Sequence, residues 1–493
     1  MFERYHTVNY LSLGFGLFVA CFMVLFYLVP TKFRRYVLLL GSLIFYASYD
    51  LRYFLFLLFV AASTFLAAKM MDKKRRKAIF VVVIALNAAV WYAVKVLPWT
   101  VWMLKRGLAL IGISIVEPEW NLLIPLGISY YILQAISYLA DVYKGKIEPE
   151  KSFGKYLLFL SWFPAVVQGP ISRYDKLMPQ LLHDKKYSFD AMRDNLVLIL
   201  FGLVKKMVIA DRLAIYVNTC FDQFADLRGI VLYLAAVVYA FQLYTDFSGC
   251  VDICRGVSGL FGVELIPNFN RPYFSRSVKE FWGRWHMSLS GWLKDYIYIP
   301  LGGNRKGTLR KYINLMITFL VSGLWHGAGT TFFVWGALHA IYQIVGQCTA
   351  GIRSRVRKLI RIEENSASEK IYQTLITFHL VTLAWIFFRS TGFMDALQYI
   401  RNMLSEAQLW KLLDGSLYSL GLNQNYWGLL IAHICGLFAI EHFSKDQTSA
   451  VATLTRQHVI IRWVVYLILI FDVILFGVYG SGYDMRSFMY GGF

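Results

Sequence analysis

The chain has 493 residues, 58% hydrophobic and only 16% charged, with a formal net charge of +20 and a mean hydropathy of +0.51. This composition excludes an ordinary soluble domain and predicts an all-α polytopic membrane protein. The cations fall in short clusters between apolar runs, at Lys32–Arg35, Lys73–Lys77, Lys144–Lys155, Arg305–Lys311 and Arg353–Arg361. That pattern reads as cytoplasmic loop bias with attraction to anionic membrane lipid, and not as a nucleic-acid surface.

A helix needs about 20 apolar residues to cross the hydrocarbon core, and by that measure the chain holds about a dozen spanning or re-entrant segments. Leu11–Val29 reads as a first span rather than a cleavable signal, because it is long enough to cross and no small-residue cleavage site follows. Tyr36–Ser48, Tyr53–Ala68 and Ala78–Val96 then alternate across the membrane, which puts both termini in the extracytoplasmic space. Pro98–Glu119 is amphipathic and predicted at the interface, and Asn121–Ala140 returns inward. Tyr156–Val167 is too short for an ordinary span, so Gln168–Tyr174 reads as a re-entrant loop, bordering a cavity or lying at the interface. Leu196–Tyr216 carries Lys205, Lys206, Asp211 and Arg212, and Ile230–Leu260 carries Asp246, Asp252 and Arg255. Charges inside apolar runs face the bundle interior or snorkel to the headgroups, and pairing between helices is the favoured reading.

Beyond the polar loop Pro267–Tyr273, the stretch Trp282–Gly329 organises the rest. Trp282, Trp285, Leu289, Trp292 and Leu293 recur near helical spacing, and Ile299–Gly303 ends any helix there. Tyr312–Leu324 and Thr331–Val345 form a hairpin flanked by two basic clusters, so both ends face one side. Its first limb, counted through Trp325 as Tyr312–Trp325, has 14 residues and reaches about 21 Å into a core of about 30 Å, which places His326 inside the membrane body. Downstream, Ile362–Lys370 reads as a solvated loop, Thr391–Gln424 as the longest external connection, and Tyr372–Phe388, Trp427–Glu441 and Trp463–Gly480 as spans. No repeat is visible, and the whole reads as a single integral membrane domain. Its parts are N-terminal helices in 1–120, a core in 121–350 and C-terminal helices in 351–493.

His286 and His326 are each preceded by a tryptophan and framed by Pro/Gly-rich breaks. An imidazole beside apolar sequence needs a reason, and one near its ordinary pKa of about 6.5 can accept a hydroxyl proton. No G-x-S-x-G elbow is present, so base-assisted attack by a bound hydroxyl or thiol fits better than a serine ester. His339, His379 and His433 read as satisfied interhelical hydrogen-bonders. The six cysteines read as buried free thiols, and Cys250 and Cys254 have no second pair at metal spacing, so no metal site is expected. A transporter with proton-relaying histidines, and a scaffold for a glycan synthase, are the readings from other classes.

The motifs NLLIPLGISY (121–130), QGPISRY (168–174), PNFNRPYFSRSVKEFWGRWHMSLSGWLKDYIYIPLGGNRKG (267–307) and SGLWHGAGTTFFVWGALHA (322–340) resemble the membrane-bound O-acyltransferase (MBOAT) family. Within it, PLGGNRKG (300–307) and the chain length favour the branch that O-acetylates alginate and other bacterial exopolysaccharides over the type that D-alanylates teichoic acid. The closing 487–493 run only loosely matches the ending usual in that branch. The resemblance implies a helical bundle with re-entrant segments and a central tunnel in a multi-pass protein of the bacterial cytoplasmic membrane. It implies an acyl thioester donor such as acetyl-CoA, no tightly bound cofactor, and an extracytoplasmic glycan as acceptor. Transfer to that glycan is direct or through an SGNH-type partner acyltransferase. It puts the catalytic histidine at His326 and a second polar position at His286. Asn270, Arg271, Trp285, Asp295, Tyr298 and Trp325 are the candidate tunnel and substrate-binding residues.

Overall fold

The computed structural model describes residues 10–71, 75–115, 120, 123–183, 186–444 and 447–479. The basic residues Lys73 and Lys74, the first two residues of the 121–130 motif, and the tail from Tyr483 lie outside the described residues, as does the expected siting of both termini. Regular structure among the described residues is helical throughout. In chain order the helices are α1 (Leu13–Leu28), α2 (Thr31–Ala47), α3 (Leu51–Met70), α4 (Arg76–Lys95), α5 (Leu97–Ala109), α6 (Ile128–Tyr143), α7 (Phe153–Ser161) and α8 (Tyr174–Leu182). There follow α9 (Phe189–Leu203), α10 (Asp211–Asp222), α11 (Ile230–Leu260), α12 (Val278–Arg284), α13 (Met287–Leu293), α14 (Thr308–His326) and α15 (Thr330–Cys348). The chain continues with α16 (Ala350–Leu359), α17 (Ala367–Arg389), α18 (Phe393–Ser405), α19 (Gln424–Phe443), α20 (Gln447–Thr455) and α21 (Val459–Phe476).

Among the described residues six helices are long and apolar enough to cross a membrane: α3, α4, α11, α17, α19 and α21. Fewer qualify than the hydropathy reading suggested. α1 is only 16 residues long, α2 carries Lys32, Arg34 and Arg35 in its first turns, and α14 and α15 interleave polar side chains with apolar ones. Several helix starts follow from local chemistry. Ser12, Asp50, Ser277, Ser366 and Asn423 each accept a backbone N–H of the first turn, satisfying donors the helix leaves open. The predicted solvated loop shortens to a turn, because Ser366 caps α17 at Glu369. The 391–424 connection likewise folds into α18 and two short 3-10 turns.

Contacts divide the described chain into two compact units, residues 10–199 with 250–266, and residues 200–249 with 267–479. In the first unit residues 161–172 are all buried without forming a continuous helix. Trp162 donates to Ser258 at 3.0 Å, Ser258 donates to the Val263 carbonyl at 2.8 Å, and the Phe163 amide reaches Ser42 at 3.3 Å. Irregular backbone is thus held against protein, as a low-dielectric setting requires. Gly127 (φ +74°) lets the start of α6 touch this segment, since a Cβ there would sit 2.2 Å from the Val166 carbonyl oxygen. Arg255 and Asp252 pair at 3.6 Å in the same unit.

In the second unit the chain widens into a π-helical turn at Val204–Ala210. This turns Lys206 into the interior, where it meets Asp211 at 2.7 Å and also Asp246. All three side chains are buried, so one cation answers two carboxylates, the pairing expected for such charges. His379 binds Tyr233 and the Leu375 carbonyl, both at 2.7 Å, and His433 binds Asp472 at 2.7 Å and the Leu429 carbonyl at 2.8 Å. These two histidines fulfil the interhelical expectation. Of the cysteines, Cys220, Cys250 and Cys254 are buried, whereas Cys21, Cys348 and Cys435 are exposed; all six are free thiols. Burial of every thiol was therefore too broad an expectation, because an apolar helix leaves one face on the outside of the bundle.

Candidate active site

The site lies in the second unit, where α12 and α13 meet the antiparallel pair α14–α15. The predicted amphipathic helix over 282–293 is broken at His286, whose backbone adopts φ +44° and ψ +52°. Arg271 is also left-handed, at φ +48°. Non-glycine residues occupy that region at a cost of about 1–3 kcal/mol each and need bracing. The 267–273 loop supplies it. The Asn270 amide donates to the Arg284 carbonyl at 2.9 Å, the Met287 amide to the Asn268 carbonyl at 2.9 Å, and the Ser288 amide to the Asn268 side-chain oxygen at 3.0 Å. Asn268, which sequence reasoning passed over, therefore fixes the bend; its signal is the polar PNFN run just ahead of an aromatic helix.

His286 and His326 are brought together, with ring centroids 6.3 Å apart. Both are buried. Trp325 packs against His286 at 5.8 Å and His326 at 4.8 Å; Trp335 and Phe388 close on His326 at 5.0 and 5.5 Å, and Phe247 on His286 at 4.8 Å. His326 is the last residue of α14, and the Gly327 amide closes that helix on the Gly323 carbonyl. The close crossing of α14 and α15 rests on two glycines: a Cβ on Gly323 would lie 2.3 Å from the Phe332 carbonyl oxygen, and one on Gly336 2.4 Å from that of Phe319.

A cavity of about 1080 Å³ opens beside this centre. Among the described residues its wall carries five cations, Lys279, Lys294, Arg305, Lys306 and Lys311, and no carboxylate. Trp282, Tyr298 and Phe319 supply aromatic wall. Lys294 and Tyr298 sit on a second π-helical turn, Lys294–Tyr298.

Of the predicted tunnel residues only Tyr298 lines this cavity. Trp325 packs on the histidines. Trp285 is completely buried among Phe281, Phe269 and Trp385, where it supports the bend and does not line the large cavity. Asn270 and Arg271 border a separate space of about 10 Å³ next to Tyr244 and Glu441, which hydrogen-bond each other. Asp295 is half-buried on the π turn and does not face the large cavity. Neither His286 nor His326 is part of the cavity wall.

Two facing stripes join the cavity to His326. On α14, Lys311, Leu315, Thr318 and Phe319 line the cavity, and Ser322 and His326 continue at helical spacing. On α15, Gln347 and Gln343 line it, and His339 and Trp335 continue four residues apart. From Thr318 to His326 the rise is about 12 Å. Along this closed section the Ser322 hydroxyl, both His339 ring nitrogens and the indole N–H of Trp282 and Trp335 are buried with no hydrogen-bond partner among the described residues. His339 thus departs from the expected satisfied state: its ring lies among Trp282 (5.1 Å), Trp335 (5.0 Å) and Phe319 (6.1 Å). Unsatisfied buried donors and acceptors cost about 1–3 kcal/mol apiece, so these groups call for a partner.

Residues 148–388 match the family model of MBOAT, the membrane-bound O-acyltransferase family. A "Probable alginate O-acetylase AlgI" of Pseudomonas fluorescens is 34% identical over 432 residues, 86% of this chain and 79% of that protein. A peptidoglycan O-acetyltransferase of Helicobacter pylori is 39% identical over 312 residues, covering 58% and 57% of the two chains. A teichoic acid D-alanyltransferase of Bacillus subtilis is 27% identical over 288 residues, covering 56% and 71%. With a match of that extent to the first of these, and with helices built to cross a membrane, the chain belongs to the membrane-bound O-acyltransferases and is a multi-pass membrane enzyme that transfers acyl groups.

Proposed function

We propose that the protein moves a short acyl group, acetyl, from a cytoplasmic thioester to a hydroxyl of an extracytoplasmic polysaccharide in the bacterial cytoplasmic membrane. The relatives that share most of the chain are acetylases of alginate, and the D-alanyl-transferring relative is more distant, which favours acetyl over D-alanyl. The observation that carries the reading is the pair His286 and His326, 6.3 Å apart in a buried aromatic shell beside a cationic cavity. An anionic thioester such as acetyl-CoA suits a wall to which the described residues bring five cations.

The thioester end would advance between α14 and α15 toward His326, and the acceptor hydroxyl would approach the same ring from the other side. His326 accepts the hydroxyl proton as the oxygen attacks the thioester carbon; the C–S bond breaks, and the proton passes to the departing thiolate, leaving an ester and a free thiol. His286, held by the bend, orients His326 or polarises the carbonyl. A dry aromatic shell favours transfer over hydrolysis. The acceptor is the glycan itself or an SGNH-type partner that relays the acyl group. A His326→Ala variant should abolish base-labile acetate on the cell's glycan at unchanged protein level. Full acetylation in that variant would remove His326 from the mechanism.

A further inference from the structure

His339 is set apart from the other helical histidines. His379 and His433 each place one ring nitrogen on the carbonyl four residues back and the other on a neighbouring helix. His339 makes neither bond; both ring nitrogens are without a hydrogen-bond partner among the described residues although the residue is completely buried. Its position is equally particular. Gln343, one turn away on α15, lines the cavity, and Trp335, one turn the other way, touches His326. Trp282, which touches His339, is itself part of the cavity wall.

We propose that His339 is a substrate-binding residue, whose imidazole hydrogen-bonds an amide of the thioester donor's arm where that arm runs from the cavity to His326. The inference rests on the thioester reading given above. A neutral imidazole offers one donor and one acceptor, the complement of an amide's C=O and N–H. The Ser322 hydroxyl, also unsatisfied and one turn before His326 on the facing helix, can serve a second amide group. Trp282, Phe319 and Trp335 supply apolar surface for the methylenes between. A donor without amides would leave these buried polar atoms unanswered.

The test uses the purified full chain in lipid or detergent, with unacylated CoA as the binding probe and acetyl-CoA for turnover. In H339F the affinity for CoA should fall about 10- to 100-fold, and the KM for acetyl-CoA should rise in step, because one or two buried hydrogen bonds are lost. H339Q, which keeps a donor and an acceptor, should recover part of that loss. The melting temperature of H339F should not fall, since an apolar ring in place of an unsatisfied polar one is neutral or stabilising. Equal CoA affinity in H339F and the unsubstituted protein would overturn this inference alone. Equal losses in H339F and H339Q, with lower melting temperatures in both, would also overturn it and make His339 a packing residue. An unsubstituted protein that fails to bind CoA would instead overturn the thioester reading beneath it.

Discussion

The tightest constraint on the site is the crossing of α14 and α15, and Gly336→Ala tests it. The added methyl would stand 2.4 Å from the Phe319 carbonyl oxygen, against ordinary contact from 3.4 Å, so the two helices must part by about 1 Å. The obstacle is backbone and cannot swing away. Overpacking of this kind costs about 1–3 kcal/mol, and a 1 Å misplacement of reacting groups costs about 100-fold in rate. Because Phe319 lines the cavity and Trp335 touches His326, the separation acts on the cavity wall and on the setting of His326 together. Gly346→Ala, on the same helix but with open space around the new methyl, is the control. The assay is acetyl transfer from acetyl-CoA by purified protein, beside its melting temperature. We expect Gly336→Ala to lose about 100-fold in kcat while Gly346→Ala keeps activity and stability. A fully active, fully stable Gly336→Ala protein would refute the close crossing and the geometry built on it.

Further outcomes follow from the same structure. Lys206→Met takes a buried cation from Asp211 and Asp246, so it should destabilise by about 3–5 kcal/mol and cut membrane yield; normal yield and melting would refute that role for Lys206. Reversing charge at the cavity with Arg305→Glu and Lys306→Glu should raise the KM for the thioester and weaken its dependence on salt, with little change in kcat; an unchanged KM would move the donor elsewhere. Asn268→Ala removes the side-chain oxygen that holds the Ser288 amide, and should lower kcat through the His286 bend by more than it lowers the melting temperature. Burial pulls the Glu150 carboxyl upward, but hydrogen bonds from Tyr174 and from the amides of Ser152 and Lys151 more than offset it and hold its pKa below the usual range. A carboxyl depressed on folding adds stability that is present above its unfolded pKa of about 4.3 and is lost as pH falls through the folded value. Tyr174→Phe should therefore shift the acid-unfolding midpoint toward neutrality, and an unmoved midpoint would count against the bond.

The all-helical membrane character and the family motifs around the two Trp-His pairs were legible in the chain itself, because apolar length and short motifs are local properties. The span Ile230–Leu260 appears as one unbroken helix, and the buried charges at Lys206, Asp211 and Asp246 do pair. What a sequence cannot carry is the direction in which a side chain points once helices cross. Trp285 matches helical spacing as well as Trp282 does, yet α12 ends at Arg284 and the extended backbone of Trp285 (φ −106°, ψ +131°) takes it off the helix, into the aromatic core, while Trp282 stays on the cavity wall. His339 has the same local setting as His379, an apolar helix, and differs because its neighbours across the packing are the rings of Trp282 and Phe319 rather than a tyrosine hydroxyl. Composition thus determined the solvent this protein lives in, and tertiary packing decided which imidazoles meet. Burial and pairing depend on residues far apart in the chain, and no period or spacing records them.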